Sequence, residues 1–256
     1  MTRYLFVLSA FLLGLVTTSF FPTEEQIQDR FALGQRYYAA NDHENCVKIF
    51  KEIEEMPNYP LLNVDRIEVR IEELVLPIRV AATYQLGNSY RNVGRTLLER
   101  SENALAEGDT SLAGRRRKEA RRAFDEAKGH YGRIVDDPKA PYEVRVMAQY
   151  QIVRADFQMG NYPEAVADVE ELLRRFPGSD YEEAAIYDMG WAYHYMGKYE
   201  ECIATFRKLL EISHDDIKLD RATFQIAESH LALGRYDDAV RWFRRLVDKY
   251  DFSKMT

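Results

Sequence analysis

The chain has 256 residues, 46% hydrophobic, 12% aromatic and 30% charged, with a formal net charge of −7. An acidic balance of this kind argues against a nucleic-acid partner, because phosphate binding is carried by Lys and Arg. The apolar content suffices for a continuous core, and no Pro-, Ser- or Gln-rich stretch marks a long disordered region.

The chain opens with Met1-Thr2-Arg3, an apolar run from Tyr4 to Val16, and the small residues Thr17-Thr18-Ser19. This layout predicts an exported protein whose segment 1–19 is a signal peptide cleaved after Ser19. The alternative is an uncleaved inner-membrane anchor with the rest facing the periplasm. No cysteine precedes Cys46, so no lipidation box accompanies the segment.

Residues 20–60 read as a first helical pair, with Leu33-Gly34-x2-Tyr37 followed by Cys46-x3-Phe50 and Pro57. Over 61–141 the pattern is helical but irregular. Val64, Ile67, Ile71 and Leu74 form an apolar helical stripe, and Pro77 suits the first turn of the next helix. Leu86-Gly87-x2-Tyr90 then begins a second pair whose partner is delayed. The better partner is Ala127-x3-Tyr131 with Ile134 and Pro138; Ala120-x3-Phe124 is a rival. An insertion of about 28 residues follows from that delay. It predicts two lengthened helices forming a protruding hairpin over about 95–122, turning at Gly108-Asp109-Thr110.

Residues 142–256 carry three regular units. Gly160-Asn161-Tyr162, Gly197-Lys198-Tyr199 and Gly234-Arg235-Tyr236 recur every 37 residues. In one unit Ile186, Met189, Gly190 and Tyr193 share a helix face. After the turn, Cys202, Ile203, Phe206, Leu209 and Leu210 point inward while Glu200, Glu201, Arg207 and Lys208 point outward. A unit of this size cannot bury its apolar face alone and must stack on its neighbours.

These phrases resemble the tetratricopeptide repeat family, whose pattern runs L-G-x2-Y, A-x3-F, P. The resemblance implies an all-α, right-handed α-solenoid of helix-turn-helix units with an extended helical insertion in the second. It also implies a binding groove along the inner curve of the first helices. The matching positions are Tyr38 in unit one, Tyr150, Arg154 and Phe157 in unit three, and Tyr187, Trp191, His194 and Tyr195 in unit four. Unit five supplies Arg221, Phe224 and Glu228. Aromatics and Arg are enriched at binding hot spots, although the same rings also serve packing between helices. The Lys and Asn pattern that clamps C-terminal carboxylates in cytosolic chaperone co-factors is absent at these slots.

Arg174-Arg175-Phe176-Pro177-Gly178-Ser179 and Gly197-Lys198-Tyr199 are similar to phrases of bacterial periplasmic repeat proteins. Two such groups are the Tol-Pal-associated division coordinator and the scaffold lipoprotein of the β-barrel assembly machinery. That similarity implies a non-enzymatic scaffold binding a protein or peptide in the cell envelope, in the periplasm or at the outer membrane. The alternatives are a cell-wall glycan-binding module and an accessory subunit of an envelope enzyme.

Arg115, Arg116, Arg117, Lys118, Arg121 and Arg122 are either a basic patch for an anionic partner or a solvated helix surface. Cys46 and Cys202 occupy the same small-residue slot in two units and read as packing residues. No H-E-x-x-H, C-x2-C, G-x-S-x-G or phosphate-cradling loop occurs, so no catalytic residue, metal or cofactor is implied. The fifth unit ends at Tyr250, and Asp251–Thr256 is too short for a capping helix. Self-association, a docked partner or a longer array is therefore expected at that end.

Overall fold

A computed structural model of the chain describes residues 21–249. The leader expected over 1–19 and the uncapped end expected beyond Tyr250 lie outside those residues. The chain divides between Ala82 and Thr83 into two units, not at the residue 60 and 141 boundaries that the sequence pattern suggested.

In the first unit, α1 (Glu24–Ala39) begins on a capping box. Gln26 N–H donates to Thr23 Oγ1, and Thr23 N–H donates back to Gln26 Oε1. α2 (His43–Glu54) starts at Asp42. Asn41 joins them in the left-handed region, a conformation Asn tolerates. Gly34 lets the helices close up, since a β-carbon there would lie 2.8 Å from the Phe50 ring.

The helical reading of 61–77 is overturned. A 3-10 turn (Val64–Arg66) leads into strands β1 (Glu68–Ile71) and β2 (Leu74–Pro77), an antiparallel hairpin with Val69 opposite Leu76. Ile67, Val69 and Ile71 alternate with charged residues at a period of two, and β-branched residues fit a pleated surface. Ile67, Ile71 and Leu76 are buried while Val75 is exposed. Glu72 takes a φ of 52° at the first position of the two-residue loop. Pro77 ends β2 and directly precedes α3 (Ile78–Ala106) rather than sitting in its first turn.

The second unit comprises the rest of α3 and seven further helices. They are α4 (Thr110–Asp136), α5 (Tyr142–Met159), α6 (Tyr162–Arg175), α7 (Glu182–Tyr195), α8 (Tyr199–Ile212), α9 (Asp216–Ala232) and α10 (Tyr236–Lys249). From α4 onward each helix packs on the next. This is an all-α helical-repeat fold.

Turns within the repeats close identically. After Gly160, Gly197 and Gly234, each with φ of 70–75°, the next N–H reaches a carbonyl five residues back. The pairs are Asn161–Asp156, Lys198–Tyr193 and Arg235–His230, each 2.9 Å. Gly190 sets the spacing of α7 and α8, since a β-carbon would meet the Phe206 ring at 2.7 Å. The α3–α4 hairpin uses that device twice. Gly87 faces Tyr131 and, seven residues on, Gly94 faces Phe124. Both partner phrases read from the sequence are therefore rungs of one hairpin.

Cys46 and Cys202 are buried thiols, and neither is in a disulfide among the described residues. Ser229 Oγ donates to Cys202 Sγ at 3.3 Å, and burial pushes that thiol up to about 11. Both thiols are expected to resist Ellman's reagent in the native protein at pH 8 and to react fully in denaturant. Rapid native labelling of either would contradict this packing.

Candidate protein-binding face

The first helices of the last three repeats, α5, α7 and α9, touch in sequence, α5 on α7 and α7 on α9. Their outward residues thus share one face. On α5, Tyr150, Arg154 and Phe157 recur at helical spacing. Tyr150 Oη donates to Asp188 Oδ2 at 2.9 Å, and Arg154 Nη1 lies 3.9 Å from the same oxygen. Burial, and then the Asp188 charge, push the Tyr150 phenol up to about 12, so it is a neutral donor. Burial also raises the Asp188 carboxyl, and the Arg154 charge opposes that. This polar triad ties α5 to α7.

Beside it the aromatic rings are continuous. Tyr162, at the start of α6, stacks on Tyr195 with centroids 4.9 Å apart, and Phe157 meets both edge-on at 5.5 and 5.9 Å. Trp191 lies 5.9 Å from Tyr195 and 6.3 Å from Tyr187, and is backed by Phe206 at 6.1 Å. The Gln225 amide nitrogen reaches His194 Nδ1 at 2.6 Å. Burial lowers the imidazole pKa, which suits a neutral ring accepting that bond and joins α7 to α9.

Trp191 also borders an open depression of about 510 Å3, completed by Asp220, Arg221, Phe224 and Leu246. Phe224 is 47% exposed and leans edge-on against Phe243 at 5.6 Å. Glu228 is half-buried and its charge acts on His194. Ten of the eleven residues assigned to the groove thus stand on three adjoining helices. Tyr38 belongs to the first unit, half-buried near the end of α1.

Sequence reasoning missed Tyr162, Asp188, Gln225 and Leu246. Tyr162 was visible in the recurring Gly-x-Tyr turn but was read only as a repeat marker. Leu246 comes from a second helix, outside the first-helix positions considered. The basic residues lie on α4, where Arg116 pairs with Glu119 at 2.8 Å.

Residues 147–179 and 182–251 match the tetratricopeptide repeat family. No curated protein matches the chain in sequence. Among solved structures, a putative kinesin light chain with nearly identical TPR-like repeats from Podosopora anserina is similar at 13% identity. The match covers 92% of this chain and all of that one, with a TM-score of 0.52. MamA of AMB-1 matches at 14% identity over 88% of this chain and 92% of its own, with a TM-score of 0.51. A signal-transduction ATPase with a tetratricopeptide repeat sensor from Pyrococcus horikoshii gives 14% identity and a TM-score of 0.50. There the match spans 88% of this chain but 30% of that one. At these identities the likeness is one of fold.

Proposed function

With tetratricopeptide repeats over 147–179 and 182–251 as the premise, we propose that the chain is a non-enzymatic scaffold. It holds a protein partner in extended or helical form against the face of α5, α7 and α9. The observation that carries this reading is the ring run from Tyr162 through Tyr195 to Trp191, which ends at the depression beside Phe224 and Arg221. Rigid aromatic rings with a neighbouring guanidinium are what binding hot spots use. The polar ties beside them hold α5 to α7 and α7 to α9, and so fix the helices that carry the rings before any partner arrives.

The setting we propose is the bacterial cell envelope. Its support is the basic end and apolar run of residues 3–16, together with the Arg174–Ser179 phrase shared with periplasmic repeat proteins. Calorimetric titration with peptides from envelope proteins, and in parallel with soluble cell-wall glycan fragments, tests the ligand class. Trp191→Ala is expected to weaken peptide binding at least about 30-fold, the scale of a hot-spot residue, with helicity unchanged. Binding of glycan alone, or peptide affinity untouched by Trp191→Ala, would remove this reading.

A further inference from the structure

Exposed apolar side chains are densest on the last two described helices. On α10, Tyr236, Val240 and Val247 are 67%, 53% and 66% exposed, and Phe243 is half-buried. Their spacing of 4, 3 and 4 residues is the spacing of a seam along which one helix meets another. α10 packs on α9, and Ala239 is the one residue of α10 that is fully buried. Phe243 leans on Phe224 of α9. Seven residues to either side of Phe224, Ile217 and Leu231 are exposed as well, so apolar surface continues across that contact. A contiguous patch of this kind marks an interaction surface.

The charges of α10 say what fits it. Arg241 pairs with Asp238, and Lys249 pairs with Asp216 and Asp220. Arg245 lies over the Trp242 ring, and Asp248 is engaged as well. Asp237 and Arg244 are exposed and make no ion pair among the described residues. At 3.6 residues per turn both flank the apolar stripe on its solvent side, about 10 Å apart along the axis, too far to pair with each other.

We propose that this face pairs with the same face of a second copy of the chain, with the two α10 helices antiparallel about a two-fold axis. Tyr236 of each copy then lies opposite Val247 of the other, and Val240 opposite Phe243. The same rotation sets Asp237 of each copy beside Arg244 of the other, so both unmatched charges find partners, twice over. A parallel pairing brings like charges level and leaves them unmatched. An unrelated partner would call for no such self-complementary pattern. The inference stands apart from the partner-holding role of α5, α7 and α9, because it rests on α10 and its charges.

Sedimentation velocity of the full chain over a concentration series is the test. The wild type is compared with Asp237→Arg, with Arg244→Asp, and with an equimolar mixture of these two variants. Both positions are exposed, so neither change disturbs packing, and circular dichroism checks that helicity holds. The expected result is a monomer–dimer equilibrium for the wild type. Each variant alone turns two opposite-charge contacts into like-charge ones and weakens the dimer about 30-fold. Mixing restores the wild-type affinity, because the all-basic flank of one variant then faces the all-acidic flank of the other. A wild type that stays monomeric throughout would overturn the proposal, in favour of residues 250–256 or another protein as the occupant of this face. Association equal in all samples, as the apolar run over 4–16 would give, would also overturn it, and so would a mixture that associates no better than its components.

Discussion

Gly87→Ala is expected to destabilise the protein by about 2–4 kcal/mol, as overpacking at a closed helix contact does. A β-carbon at this position would lie 2.5 Å from Tyr131 Cε1. The ring has little room to give: it is fully buried, sits 5.8 Å from Tyr84, and its hydroxyl donates to Asn88 at 2.7 Å. Relief therefore requires α3 and α4 to part. Gly132→Ala on the same hairpin is the control, because nothing lies within 4 Å of its added methyl. There the gain in helix propensity alone acts, about 0.5–1 kcal/mol of stabilisation. Urea unfolding followed by circular dichroism reads both. Pairing Gly87→Ala with Tyr131→Leu should cost less than the sum of the single changes, since the two sites share one contact. A neutral Gly87→Ala would mean that the hairpin helices do not meet in this register.

Lys128→Met is expected to cost about 3–5 kcal/mol at pH 8, the scale of leaving a buried charge without its partner. Asp156 occupies the slot where other repeats carry Tyr or His, and it is 3% exposed. The Lys128 ammonium pairs with it from α4 and lies 3.9 Å from Asp168 on α6. Asn161 completes the set with a 3.2 Å bond to Asp156. Burial, then the neighbouring Asp156 carboxyl, pushes the Asp168 carboxyl up to about 7, against the pull of Lys128. The folded state thus holds a proton that the unfolded chain releases near pH 4. Its contribution to stability is complete below that value and is lost as pH rises through about 7. Lys128→Met should consequently cost less at pH 4 than at pH 8, because a protonated carboxyl needs no counter-charge. Asp168→Asn should flatten the slope between those values and stabilise by about 1–2 kcal/mol at pH 8. An equal cost of Lys128→Met at both pH values would show that the carboxylates do not share this site with it.

What the sequence made legible follows from what repeats constrain. The slots at Gly190, Cys202 and Phe206 recur because helix approach distance admits few side chains. Their spacing therefore reports the pairing of helices directly. The β1–β2 hairpin was misread because Ile67, Ile71 and Leu74 satisfy a helical period, whereas the strand period runs through Val69. In short apolar runs both periods can be found. The ambiguity between Ala120 and Ala127 as partner had a physical basis, since Phe124 and Tyr131 both face glycines of α3. Lys128 could not be assigned to Asp156 from spacing, because the two lie 28 residues apart on the successive helices α4 and α5. Of the binding face, first-helix positions supplied Trp191 and its neighbours, but the ring stacked on Tyr195 comes from the first residue of α6, a second helix.

The claim that the first-helix face is where a partner is held can be read by hydrogen–deuterium exchange of the full chain, alone and saturated with a bound peptide or captured protein. The result expected is slowed exchange over 150–158, 187–195 and 221–228, with α6 and α8 unchanged beyond the Tyr162 turn. Protection confined to the second helices, or spread evenly over the chain, would contradict it.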